Sequence, residues 1–241
     1  MRLNDEVQVL ELPAVFGRDS FSVNLTLLMD LAMGPTLVDT GVPGQQEAIA
    51  AAMVDAGVEV EDLRRIVLTH HDLDHVGSLH ALAEASGAQV LAHEVEATFI
   101  DGSRQPRFAL PEVLQQAPEL RPLVEGFRPT RVTQTLDDDE HLDLVGGVRV
   151  VFTPGHTPGH LCLYLECHRT LIAGDALVAH RGQVYGPSSK SSADLPAARD
   201  SVRRLADLDV QAIVCYHGGV VDDDANGKLR RLAAAGGWSP E

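Results

Sequence analysis

The sequence predicts an α/β (α+β) fold, a single domain over residues 1–241, in which strand–helix units recur in two halves with helices on the outside of a sandwich. Three observations carry that expectation. Short runs rich in Val, Ile and Leu alternate with stretches whose apolar residues recur at helical spacing. Four of the apolar runs end on His or Asp beside Gly or Pro, which gathers polar groups at the edge of a sheet. A hydrophobic content of 44% over 241 residues is enough for one substantial core.

In chain order, Val7–Leu12, Ser22–Asp30 and Thr36–Asp39 read as strands. Gly44 to Ala56 is a helix that Gly57 ends. Strand Arg65–Thr69, helix Val76–Ser86 and strand Gln89–Ala92 complete the first half. The second half holds strands Val148–Thr153, Leu161–Glu166 and Thr170–Ala173, helix Leu195–Leu208, strand Ala212–Cys215 and helix Asp222–Ala235. Asp222-Asp223-Asp224 suits the N-cap and the positive end of that last helix. Between the halves, residues 101–139 are irregular, carrying Pro106, Pro111, Pro118, Pro122 and Pro129 with Phe108 and Phe127. A long insertion with aromatic residues is expected to be an ordered cover that forms much of a substrate pocket and offers homodimer contacts.

The chemistry concentrates in Thr69-His70-His71-Asp72-Leu73-Asp74-His75-Val76-Gly77, directly after Ile66-Val67-Leu68. Five of the six residues from His70 to His75 are imidazoles or carboxylates, a donor mixture that suits Zn²⁺, Mn²⁺ or Fe²⁺. A polar turn with capping aspartates would account for this cluster alone. It would not account for Pro154-Gly155-His156-Thr157-Pro158-Gly159-His160, Gly174-Asp175 and His217-Gly218, which supply further ligand types at strand ends.

Together with Val38-Asp39-Thr40-Gly41, these segments resemble the metallo-β-lactamase-fold superfamily of hydrolases, in the family's order and from about Asn24 to Gly219. The resemblance implies a four-layer αββα sandwich with a dinuclear metal site along one edge. By it His70, Asp72 and His156 bind one ion, Asp74, His75 and His217 bind the other, and Asp175 bridges the two. Asp39 would orient a ligand imidazole, and His160 would be a hydrogen-bond partner rather than a ligand. Two divalent ions are implied, zinc foremost, with manganese or iron as alternatives. The chain departs from the family's His-x-His-x-Asp-His at the third position, where Asp72 stands for His. His71 does not simply replace it, because neighbours in an extended chain face opposite ways. The added carboxylate lets Asp72, Asp74, Asp175 and a bridging hydroxide neutralise two dications, which favours harder, oxygen-preferring metals.

The implied activity is hydrolysis of an ester, thioester or lactone in a small molecule, by water held between two cations. Asp74 and Asp175 would be the catalytic carboxylates, and His180, five residues beyond Asp175, a proton donor to the leaving group. Val178 stands where lactonase members carry Tyr, and the basic stretch Lys228-Leu229-Arg230-Arg231 is shorter than glutathione-binding thioesterase members use. The resemblance therefore assigns no substrate. Two alternatives stay open: a di-iron redox protein on the same fold, since carboxylate-rich ligation suits iron, and a non-catalytic metal-binding protein.

A net charge of −16 and a pI near 5.0 leave no basic face for nucleic acid or an anionic membrane. Cys162, Cys167 and Cys215 lack CxxC spacing and read as reduced, mostly buried thiols. Residues 1–6 form no apolar leader and no run is long enough to span a bilayer, so a cytoplasmic location is expected. His93 reads as structural, and His141 and His168 as solvated loop residues.

Overall fold

The computed structural model describes residues 1–235; residues 236–241, the end of the expected domain range, lie outside the described residues. Two compact units make up the chain, Met1–Thr135 and the part from Leu136 onward.

The first unit is built on a six-stranded sheet in the order β1 (Val7–Phe16), β2 (Asp19–Leu28), β3 (Thr36–Val38), β4 (Arg65–Val67), β5 (Gln89–His93) and β6 (Gln134–Leu136). β1 and β2 form a long hairpin closed by Gly17-Arg18, with Gly17 at φ 65°. β1 runs past Leu12, where the sequence reading stopped, because Pro13 sits on an edge strand and its missing N–H breaks no ladder. β3, β4 and β5 are parallel, and β3 and β4 are almost wholly buried and apolar.

Helix α1 (Gln46–Asp55) connects β3 to β4, and α2 (Leu73–Val76) and α3 (Leu79–Ser86) connect β4 to β5. The helix expected over Val76–Ser86 thus starts only at Leu79, and a separate turn of helix, Leu73–Val76, precedes it. Gly77 lies so close to Val42 and Pro43 that a Cβ there would sit 2.2 Å from the Pro43 nitrogen. Ser78 Oγ donates to the Val42 carbonyl and accepts from the Gln45 N–H. These ties bend the chain between α2 and α3.

Helix α4 (Glu94–Ile100) was not foreseen; it is capped by His93, whose Nδ1 accepts from the Val95 N–H at 3.2 Å. The stretch after it is also more regular than expected. Pro111 opens α5 (Pro111–Gln116), Pro118 opens a 3₁₀ turn, and Pro122 sits in the first turn of α6 (Arg121–Gly126). A helix start needs no N–H from these prolines, so residues that read as breakers act as starters. Phe108 and Phe127 meet edge to face at 5.4 Å.

In the second unit, β7 (His141–Leu142), β8 (Val148–Phe152), β9 (Leu161–Leu165), β10 (Thr170–Ile172), β13 (Ala212–Cys215) and β14 (Gly219–Val221) form a sheet of order β14-β13-β10-β9-β8-β7. Only β10 and β13 are parallel. A separate hairpin, β11 (Val178–His180) with β12 (Gln183–Tyr185), turns through Arg181 and Gly182, both at positive φ. Helix α7 (Leu195–Leu205) starts at Asp194, which accepts from the Ala197 N–H, and buries Ala198, Val202 and Leu205. Helix α8 (Ala225–Ala235) buries Leu229 and Leu232 in the same cluster as Leu171 and Ile213. It begins three residues after the expected Asp222. Asp224, at φ 49°, is the turning residue, and its carbonyl accepts from the Lys228 N–H.

Candidate metal centre

In the first unit the polar cluster lies at the C-terminal ends of the parallel neighbours β3 and β4, paired through Val38 and Val67, the usual place for ligands in such sheets. Asp39 adopts φ 62° immediately after β3, a left-handed bend that aspartate tolerates. The bend turns its buried carboxylate under β4, where it accepts from the Thr69 N–H at 2.8 Å and the Thr69 hydroxyl at 2.9 Å, and meets His75 Nδ1 at 2.9 Å. Thr69 Oγ1 also lies 3.0 Å from His70 Nδ1. Both imidazoles, each fully buried, are therefore held through Nδ1, and Nε2 is the atom each turns toward a carboxylate. His70 Nε2 is 3.6 Å from Asp72 Oδ2, and His75 Nε2 is 3.9 Å from Asp74 Oδ2. Asp72 occupies the N-cap of α2 yet makes no capping bond; its carboxylate points at His70 instead. The His75 carbonyl is secured too, since Thr40 donates to it through both its N–H and its hydroxyl.

The second unit repeats the plan. Asp175 follows β10 and His217 follows its parallel neighbour β13, while His156 sits in the turn between β8 and β9. One carboxylate oxygen, Asp175 Oδ2, is 3.4 Å from His156 Nε2 and 3.5 Å from His217 Nε2. His160 uses both ring nitrogens elsewhere: Nδ1 pairs with Thr153 Oγ1 at 2.8 Å and Nε2 accepts from the Asp175 N–H at 3.0 Å. Behind His217, Gly218 at φ 91° passes so close to the Ala179 carbonyl that a Cβ would sit 1.7 Å from its oxygen.

These spacings fit a metal. Two donors about 2.0–2.2 Å from one tetrahedral ion stand roughly 3.4 Å apart, close to the carboxylate–imidazole distances in both units. The donor set, imidazoles and carboxylates with the Nδ1 atoms of His70 and His75 hydrogen-bonded, is one that divalent ions take.

A cavity of about 520 Å³ in the second unit is lined by His156, Asp175, His217, Val178 and the loop Gly186–Ser191. That loop is pinned at its far end, where Ala193 and Asp194 donate to the carbonyls of His156 and Gly155. No lining residue comes from 101–139. His180 lies on β11 rather than on a loop; it is exposed and does not line this cavity.

Residues 21–217 match the family model described as the metallo-beta-lactamase superfamily. The chain belongs to the metallo-beta-lactamase superfamily. It is 27% identical over 196 residues to the probable metallo-hydrolase YflN of Bacillus subtilis, covering 76% of this chain and 74% of the relative. It is 30% identical over 183 residues to the probable metallo-hydrolase YybB of the same organism, with the same coverage. Among solved structures it is similar to the metallo-beta-lactamase family protein TTHA1429 from Thermus thermophilus, with a TM-score of 0.73, 29% identity, and 98% of this chain and 80% of that chain covered. Metallo-beta-lactamase proteins are thus its relatives in both sequence and fold. No helix among the described residues is long and apolar enough to cross a membrane.

Sequence reasoning missed several residues at or beside these clusters. Thr69, the hydrogen-bond hub of the first unit, stood in plain view as the residue before the ligands. Lys190 sits within Ser188-Ser189-Lys190-Ser191-Ser192, a composition that marks a loop but not a cavity wall. Glu96 gave no signal at all, because a Glu on a helix reads as solvent-facing, yet it is fully buried. Cys162 and Cys215 are buried and Cys167 is exposed. Burial pushes the Cys162 thiol up to about 12 and raises that of Cys215, so neither is a thiolate nucleophile near neutral pH.

Proposed function

We propose that this protein is a metal-dependent hydrolase that cleaves an ester, thioester or lactone bond in a small molecule. Its two divalent ions, zinc foremost, would be held by His70, Asp72, Asp74, His75, His156, Asp175 and His217, the set that the family's motif order assigns. The observation that carries the reading is the repeated contact of imidazole Nε2 with carboxylate oxygen, 3.6–3.9 Å in the first unit and 3.4–3.5 Å in the second. When bound, such ions supply an acidified water and polarise the scissile carbonyl.

The chain's own residues do the rest. Asp39 and Thr69 lock the tautomer and the ring angle of His75 and His70. His160 fixes the backbone of Asp175, so the carboxylate is oriented before any ligand arrives. Asp74 is the carboxylate assigned to take the proton released by the attacking water. The cavity falls within the size range of small-molecule sites, and Lys190 on its wall favours a substrate with an anionic group.

The test is metal content by elemental mass spectrometry, run beside a hydrolysis panel of esters, thioesters and lactones. Near two ions per chain and chelator-sensitive turnover are expected, with Asp175→Asn folded but inactive. Unchanged turnover in Asp175→Asn, or a metal-free native protein, overturns the reading.

A further inference from the structure

His71, the residue between two ligands, is not idle. Its backbone N–H donates to Glu96 Oε2 at 2.8 Å, and its ring Nδ1 hydrogen-bonds the same oxygen. The ring lies flat on Phe99, with centroids 4.1 Å apart and planes 16° apart. Glu96 and Phe99 are one turn apart on α4, so a single helix face takes hold of His71 from two sides. Behind them, the Arg104 guanidinium lies 4.6 Å from the Phe99 ring centroid, and the Arg104 N–H donates to the Thr98 carbonyl.

We propose that Glu96, with Phe99, is a positioning residue for the metal centre: by clamping His71 it sets the backbone from which Asp72 reaches the ion it would share with His70. The inference rests on the metal-binding reading above. Three features point this way. The Asp72 backbone is fixed from the other side as well, because its carbonyl accepts the first two bonds of α2, from the His75 and Val76 N–H groups; the clamp on His71 closes the remaining freedom. Aspartate is shorter than the histidine it replaces, so the ligand loop must be held close to the ion for the carboxylate to reach. Finally, a fully buried carboxylate is expensive where an apolar side chain would fill the space without desolvation cost. What Glu96 adds is direction: one oxygen receives both a main-chain and a ring donor of the same residue.

The clamp also explains why His71 is not a ligand despite its place in the motif. Its ring is committed to α4, and drawing it away would leave Glu96 buried without those two bonds.

The experiment titrates Zn²⁺ against a competing chelator and records the visible spectrum of the Co²⁺-substituted protein. It uses the native chain, Glu96→Ala, Asp72→Asn and the double variant, with circular dichroism as the check of folding. Removal of a group that supports a ligand costs about 10–100-fold in metal affinity. Glu96→Ala is expected to lose that much at one site only and to alter the Co²⁺ spectrum. In the Asp72→Asn background it should add less than about threefold, because the effect runs through Asp72. Equal losses in both backgrounds, equal weakening of every bound ion, or unchanged affinity in a folded Glu96→Ala protein overturns the proposal. If Glu96→Ala does not fold, Glu96→Gln, which keeps the volume and one acceptor, is run in its place with the same criteria. A native protein that binds no Zn²⁺ removes the metal reading itself and this inference with it. Two bound ions with no hydrolysis remove only the proposed activity.

Discussion

In the first unit the imidazoles of His70 and His75 are fully buried and tied by Thr69 and Asp39. In the second, the His217 side chain is 26% exposed and, with His156 and Asp175, lines a cavity. The same device, imidazoles and carboxylates beyond the ends of two parallel strands, is thus finished in two ways. The first half spends its hydrogen bonds on the imidazoles themselves. In the second, His160 fixes the Asp175 N–H and Gly218 packs against Ala179, and the side chains of His156, Asp175 and His217 line the cavity. Changes to the groups behind the imidazoles should therefore cost more in the first unit, and changes to the cavity wall of the second should appear as substrate discrimination.

The largest effect should come from Asp39→Asn. Its carboxylate serves three buried donor contacts, so the loss should be about 1–3 kcal/mol of stability and 10–100-fold in metal affinity, read by denaturant unfolding and chelator competition. The matched change in the second unit, Thr153→Val, removes the partner of His160 Nδ1 and should cost less than about tenfold in metal affinity. A Thr153→Val protein as impaired as Asp39→Asn would erase the contrast between the units. Next in size, Lys190→Met should lower kcat/KM for a carboxylate-bearing substrate about tenfold relative to its neutral analogue, the scale of one charge-assisted hydrogen bond. An unchanged ratio would mean that the cavity wall does not read charge.

Thiol labelling gives a simpler readout. Cys167 is exposed while Cys162 and Cys215 are buried with raised pKa, so a thiol reagent at neutral pH should modify one cysteine in the native chain and all three after unfolding. Rapid labelling of Cys215, two residues before His217, would show that the second unit opens far more than its core packing allows.

The smallest effect is acid sensitivity at Asp138. Burial works to raise this carboxyl, but the Arg204 hydrogen bond and the Phe152 N–H outweigh it and hold the group below the ordinary carboxylate value. A depressed folded value contributes stability above the unfolded value of about 3.9, and that contribution fades as pH falls through the folded value. The stability gap between the native chain and Asp138→Asn should be present at about pH 6 and close below about pH 3. A gap that persists in acid would remove the Arg204 account.

Much of the molecule was legible before folding. Strands β3, β4, β10 and β13 are apolar runs with turns behind them, and the ligand types at their ends stand in the chain order that marks the superfamily. Pattern misled where a residue's meaning depends on what lies next to it in space. Pro13 reads as a strand stop but sits on an edge, and Pro111 and Pro118 read as breakers but begin turns. Arg181-Gly182 lacks the usual Asn-Gly signature of the two-residue turn it makes.

By itself the sequence determined which residues reach each sheet edge, because strand, turn and ligand are neighbours in the chain and local periodicity places them. Only the tertiary structure decided how those side chains are held. His75 meets Asp39 across 36 positions and His71 meets Glu96 across 25, and α2 parts from α3 because Gly77 must pass the backbone of Pro43. A hydrogen bond depends on distance and angle between atoms, and nothing in the spacing of Glu96 along the chain reveals that its carboxylate is buried beneath a histidine.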